Sequence, residues 1–105
     1  MSATILGTPG ANLKLIPLGY VQISALAANG SALPASPNGT ATLIVLTCEG
    51  TALRWRDDGT MPTGSVGFPL AANDALVYCG LPTVFQMAPE AGTPTVNIVY
   101  YRQSG

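Results

Sequence analysis

The sequence predicts an all-β fold: a single-domain β-sandwich or jelly roll of about seven or eight short antiparallel strands, preceded by an extended N-terminal arm. Three observations carry that expectation. Twelve glycines and nine prolines fill 21 of the 105 residues. Long helices do not survive that density, because proline removes a backbone donor and glycine costs conformational entropy. Short runs rich in β-branched and aromatic residues recur about every ten residues with Gly, Pro, Asn or Asp between them, the spacing of a sandwich. A chain of this length leaves room for one domain.

Taken in order, residues 1–19 mix Gly7, Pro9, Gly10, Pro17 and Gly19 with Leu6, Leu13, Leu15, Ile16 and Leu18. They read as the arm, with the sandwich domain spanning 20–105. Burying a Leu or Ile side chain is worth roughly 1.5–3 kcal/mol, so the run Leu13–Leu18 is expected to dock, on its own domain or on a neighbour. Tyr20–Leu26 alternates in part. Asn29-Gly30 and Asn38-Gly39 each tolerate the positive φ angles of a tight hairpin turn. Both also match the glycosylation acceptor pattern with Ser31 and Thr40, but without a secretory signal the hairpin reading is preferred. Between them, Pro34 and Pro37 restrict the chain to an edge strand or a loop, since proline cannot donate to a ladder.

Thr40–Cys48 (TATLIVLTC) is the strongest strand. It is apolar on both faces from Leu43 to Leu46, so both faces need a cover. Ala52–Arg56 alternates, with Leu53 and Trp55 on one face and Arg54 and Arg56 on the other. Asp57-Asp58-Gly59 turns the chain, Met61–Gly64 is a loop, and Val66–Leu70 is a short strand. Ala75–Cys79 and Thr83–Ala88 follow. Thr95–Arg102 closes the domain, with Val96, Ile98 and Tyr100 on one face and Val99 and Tyr101 on the other.

Composition also excludes function classes. Hydrophobic residues make up 48% of the chain, charged residues 9%, and the net charge is -1. A typical soluble domain carries about 25% charged residues, so this surface suits burial against partners. Phosphate backbones are bound by clustered Lys and Arg, and only Lys14, Arg54, Arg56 and Arg102 are present, which argues against nucleic acid. The longest apolar run falls far short of the roughly 20 residues that span a bilayer. No membrane partner is expected. Met1–Gly10 lacks the basic start and apolar core of a signal peptide, so synthesis in the cytoplasm is expected.

No catalytic, cofactor or metal site is expected either. The chain has no histidine, which a triad hydrolase normally needs as its base. The five acidic residues, Glu49, Asp57, Asp58, Asp74 and Glu90, fall in turn-like stretches, where carboxylates hydrogen-bond the backbone. RDDGT lacks the alternating ligands of an EF-hand, and ion pairing of Asp57 or Asp58 with Arg54 or Arg56 accounts for it. Cys48 and Cys79 lie in apolar runs and read as buried free thiols. Pairing between them stays open, subject to close Cβ approach, and zinc lacks a ligand set.

The run LRWRDDGTMPTGSVGFPL (Leu53–Leu70), followed by LVYCG, FQMA and the closing VNIVYYR, resembles small structural proteins encoded by tailed bacteriophages. The resemblance covers residues 53–102. It implies a virion part built as a β-sandwich or jelly roll, foremost a capsid decoration (cement) protein on the capsid surface that binds the major capsid protein or other virion proteins. The alternatives are a neck, tail or head-fibre component, or a receptor- or carbohydrate-binding module in which Trp55 or the tyrosines stack on a sugar. A homo-oligomer is expected, a trimer before a dimer. The residues expected at partner contacts are Leu13, Leu15 and Ile16 of the arm, with Arg54, Arg56, Tyr100, Tyr101 and Arg102.

Overall fold

The computed structural model describes residues 3–6, 14–80 and 82–104. It is an all-β sandwich. One sheet has five strands in the order β1 (Ala3–Leu6), β7 (Ala75–Cys79), β4 (Leu43–Glu49), β9 (Thr95–Ser104) and β2 (Lys14–Ile23). The other has four, in the order β3 (Ser31–Ala32), β8 (Gln86–Pro89), β5 (Leu53–Arg56) and β6 (Phe68–Leu70). All pairings are antiparallel except that of β1 with β7, which is parallel.

The chain changes sheet at almost every connection. Among the described residues from β2 onward, the only consecutive strands that share a sheet are β5 and β6. That topology corrects the reading of the two Asn-Gly dipeptides as hairpins. Each is a turn, but β2 does not pair with β3, nor β3 with β4; the turns lie on arches between sheets. Gly30 shows why glycine is needed there. Its φ is +84°, and a Cβ would stand 2.7 Å from both Met61 Sδ and the Met87 carbonyl oxygen. Gly30 N donates to Ala27 O at 2.9 Å, which closes the turn.

Alternation sets the core. From the five-stranded sheet, Ile44, Leu46 and Cys48 of β4, Leu76 and Tyr78 of β7, and Val96, Ile98 and Tyr100 of β9 point inward. Leu53 and Trp55 of β5, Met87 of β8 and Leu70 of β6 meet them from the four-stranded sheet, with Leu26 and Phe85 filling in from the connections. The ring of Trp55 stacks on Phe85 at 5.2 Å and on Phe68 at 5.4 Å, and meets Tyr78 edge-on at 6.1 Å. Such offset and edge-to-face pairs add about 0.5–1.5 kcal/mol each beyond area burial.

Two elements differ from expectation. Thr83–Ala88 was expected as a strand, yet Pro82–Val84 forms a 3₁₀ turn and the strand is Gln86–Pro89. Pro82, with φ fixed near the helical value and no N–H to satisfy, suits the first position of such a turn, and its carbonyl accepts from Phe85 N at 3.1 Å. The second is the arm. Its expected boundary at residue 19 falls inside β2, which runs from Lys14 to Ile23 and pairs with β9 along its length, with a register shift between Pro17 and Gly19. Ala3–Leu6 is a strand on the opposite edge of the same sheet. Residues 14–18 thus dock on the chain's own domain.

Two tyrosines inside the sandwich tie stability to pH. Tyr78 donates to Asp57 Oδ2 at 2.9 Å, and burial, reinforced by that carboxylate, pushes its phenol up to about 12. Burial alone does the same for Tyr100, whose hydroxyl donates to the Pro34 carbonyl. An unfolded tyrosine ionises near 10. The folded state therefore holds these protons more tightly, and their contribution is complete below pH ~10 and lost as pH rises towards ~12. In an alkaline titration followed at 295 nm and by circular dichroism, these two phenols are expected to ionise together with unfolding; ionisation with the fold intact would contradict the placement.

Candidate interaction surfaces

The stretch from Leu53 to Leu70 is a structural unit. β5 and β6 pair with Leu53 opposite Leu70 and Trp55 opposite Phe68, and the loop between them folds back so that Gly64 comes beside the Pro89–Glu90 backbone and Gly67 beside Arg54. Arg54 is the strut beneath. Its guanidinium donates to the Gly67 carbonyl at 2.9 Å and ion-pairs with Glu90 at 3.1 Å. Pro62 is buried. Gly67, with φ +137°, brings the loop so close that a Cβ would stand 2.9 Å from Pro62 Cβ and 3.1 Å from Arg54 Cβ. Thr63 stitches the loop to itself, its Oγ1 accepting from Val66 N at 3.0 Å. Arg56 forms a forked ion pair with Asp58. That pair holds the Asp58 carboxyl below the usual carboxylate range and raises the guanidinium.

A second region is the far end of β2 and β9. β4 begins only at Leu43, opposite Tyr101, while β9 continues to Ser104 paired with β2 back to Lys14. The molecule is accordingly long, 40 × 25 × 25 Å. Thr42 ties the start of this ribbon down, its N–H donating to the Tyr101 carbonyl at 3.0 Å and its Oγ1 accepting from Gln103 N at 3.0 Å. Register brings Leu15 opposite Gln103, Ile16 opposite Arg102 and Pro17 opposite Tyr101. Leu15 is 44% exposed, Ile16 and Tyr101 are half-buried, and Arg102 is exposed.

The third region is the outer face of the five-stranded sheet. Cys79, Leu43, Tyr101 and Pro17 lie in one cross-strand row, and Val77, Val45, Val99 and Tyr20 in the next. Leu43 is buried, the three valines are half-buried, and Tyr20 is 55% exposed. Neither row holds a charge. Farther along the face a polar group centres on Asn97, whose Oδ1 accepts from Tyr20 OH at 2.5 Å and Gln22 Nε2 at 2.9 Å, while its Nδ2 donates to Glu49 at 2.7 Å.

A groove of about 230 Å³ lies between the Leu33–Ala41 arch and the Pro82 turn. None of its described lining residues is ionisable, whereas general acid–base catalysis needs a positioned proton donor or acceptor. Among the described residues no three His, Cys, Asp or Glu side chains are grouped to hold a metal ion. Nor is any helix long and apolar enough to cross a membrane. Cys48 and Cys79 are free thiols at opposite ends of the β4–β7 pair, and burial raises both.

The expected contact residues divide. Leu15, Ile16, Tyr101 and Arg102 all lie on the ribbon, Leu15 and Tyr101 on one face and Ile16 and Arg102 on the other. Arg54 and Arg56 are engaged in the β5–β6 unit, and Tyr100 is a core residue with no exposed surface. Leu13 lies outside the described residues. The sequence reading passed over Tyr20, Val45, Val77 and Val99. The signal was present in the two-faced apolar pattern of β4 and β9, which implies a second, outward apolar face. It also passed over Phe68, 65% exposed at the edge strand β6. Trp55, at 6% exposure between Phe85 and Phe68, has no free face for a sugar.

Comparison with protein-family models, with curated proteins and with solved structures finds no match to this chain.

Two expectations follow from this geometry. Arg54→Met should lower stability by about 1–2 kcal/mol, allowing for partial exposure, and Gly67→Ala by about 1 kcal/mol or more. Both should shift the urea midpoint without changing its slope; an unchanged midpoint would show that the loop is not held as described. Trp55 fluorescence should resist acrylamide quenching and stay unmoved by added sugars. Free quenching, or a saturable shift with a glycan, would put the indole on the surface.

Proposed function

We propose that this chain is a non-enzymatic structural protein of a bacteriophage virion, foremost a capsid decoration protein that binds and stabilises the assembled shell. The observation that carries the reading is a pair of uncharged cross-strand rows on the outer face of the five-stranded sheet, Val77-Val45-Val99-Tyr20 beside Leu43 and Tyr101, continuing onto the ribbon with Leu15. A protein with one apolar face and few charges gains by association through burial of that face. The phage-like motif from Leu53 to Leu70 and the closing VNIVYYR segment support a virion setting.

The mechanism is adhesion. A protein that binds the assembled shell and not its separated subunits stabilises the shell by mass action. On this reading the sheet face and the ribbon end meet the shell or a neighbouring copy, while Arg54 and Arg56 keep the β5–β6 unit rigid. Trp55 and Tyr100, being core residues, weigh against a sugar-stacking role, and the fibre-tip alternative rests on Tyr20 and Tyr101.

Quantitative mass spectrometry of purified virions tests the reading. A copy number near parity with the major capsid protein is expected. A handful of copies per particle would move the chain to the neck, tail or fibre, and its absence from particles would overturn the virion role.

A further inference from the structure

The outward residues of the five-stranded sheet change character along the strands. Where β2, β9 and β4 run side by side, the outer side chains pass from Pro17, Tyr101 and Leu43 through Tyr20, Val99 and Val45 to Gln22, Asn97 and Thr47. Glu49 lies one step beyond, opposite Thr95. Tyr20, 55% exposed, therefore stands where the apolar rows end and the polar ones begin.

Asn97 organises that boundary. A side-chain amide offers two acceptor positions on its oxygen and two N–H donors, and Asn97 uses all four. Its Oδ1 accepts from Tyr20 OH at 2.5 Å and from Gln22 Nε2 at 2.9 Å, and its Nδ2 donates to Glu49 Oε2 at 2.7 Å and to Thr47 Oγ1 at 3.3 Å. With no capacity left, Asn97 holds its neighbours and not a ligand. The Tyr20 hydroxyl is thereby tied to the diagonal position on the next strand, which a long side chain can reach, so the ring leans across the sheet with its outer side open to water. The neighbours keep capacity to spare. Among the described residues nothing else bonds the Gln22 carbonyl oxygen, its second N–H, the other Glu49 oxygen or the Thr47 hydroxyl proton. The ion pairs of the described residues are Arg54 with Glu90 and Arg56 with Asp58, so Glu49 has no cation beside it there.

We propose that this patch binds a neutral hexopyranose glycan, stacked on Tyr20 and hydrogen-bonded by Gln22, Thr47 and Glu49. A pyranose has an apolar C–H face and a rim of hydroxyls, each of which both donates and accepts. The patch presents the matching halves: an open, amphipathic ring with few rotatable bonds, beside groups of both polarities. A cation would ask only for acceptors, whereas Gln22 and Thr47 also offer donors. An acidic sugar would bring its carboxylate up to Glu49, and like charges at close range repel. Because Asn97 fixes ring, amide and carboxylate before a ligand arrives, little ordering of the protein remains to oppose binding. The site lies on the outer side of its sheet, away from the core that holds Trp55, so its occupation leaves the indole unmoved. The inference goes beyond the decoration reading and is separable from it: a chain abundant on the shell that binds no glycan would keep that reading and overturn this one.

The test is titration of the isotope-labelled full-length chain with maltohexaose, cellohexaose and mannohexaose, read by amide chemical shifts, with polygalacturonate as the acidic competitor. Saturable binding of at least one neutral hexasaccharide is expected, with shifts centred on residues 20–22, 47–49 and 95–97 and no displacement by polygalacturonate. Tyr20→Ala should lower the affinity by about tenfold or more. Tyr20→Phe, which keeps the ring and loses the tie to Asn97, should lower it several-fold. Phe68→Ala, on the other sheet, should bind as the unaltered chain does. Tyr20 and Phe68 are both exposed, so all three variants are expected to melt close to the unaltered chain. Binding of none of the three sugars, shifts centred elsewhere, or unchanged affinity in Tyr20→Ala would overturn the proposal. Oligolysine that shifts the same amides where the sugars do not would overturn it in favour of a cation site.

Discussion

The structure depends on the meeting of two apolar sheet faces that neither sheet can bury alone. Ile44, Leu46, Ile98 and Tyr100 on one side face Leu53, Trp55 and Met87 on the other. Because the chain crosses between sheets at nearly every turn, forming one face requires forming the other. The connections are constrained by the same burial. Leu26 and Phe85 leave the strands and enter the core from the arches, each with no exposed surface. A change in an arch is therefore a change in the core.

That coupling explains where the polar groups went. Several of the few charged side chains are engaged within the fold. Arg54 holds the loop over the four-stranded sheet through the Gly67 carbonyl and Glu90. Arg56 closes its own turn with Asp58, and Asp57 receives the phenol of Tyr78. Cations that the sequence offers as binding candidates thus act as struts. What remains outward at the centre of the five-stranded sheet is apolar, in the rows of Val77, Val45 and Val99 and of Leu43 and Tyr101, with the Asn97–Glu49 group beyond them.

Much of this was legible beforehand, for a local reason. Strand alternation is a property of neighbouring residues, so Leu53 and Trp55 against Arg54 and Arg56, and Val96, Ile98 and Tyr100 against Val99 and Tyr101, could be sorted by parity. Parity does not say which side is inside. Tyr100 was expected at a contact by proximity to Tyr101 and Arg102, yet it belongs to the inward set and its hydroxyl is taken by Pro34. The outward valines were implied by the same pattern, once β4 was seen to be apolar on both faces.

By itself the sequence determined the all-β class, the positions of most strands and the turns at Asn-Gly and Asp-Gly, because these follow from propensity and spacing along the chain. Tertiary structure alone decided that the Asn-Gly turns are arches and not hairpins, that residues 14–18 extend β2, and that β1 and β2 occupy opposite edges of one sheet. Those choices depend on which strands share a sheet. Pairing between residues as distant as Leu15 and Gln103 or Thr4 and Leu76 is fixed by the burial of the whole core, which no local stretch of sequence contains.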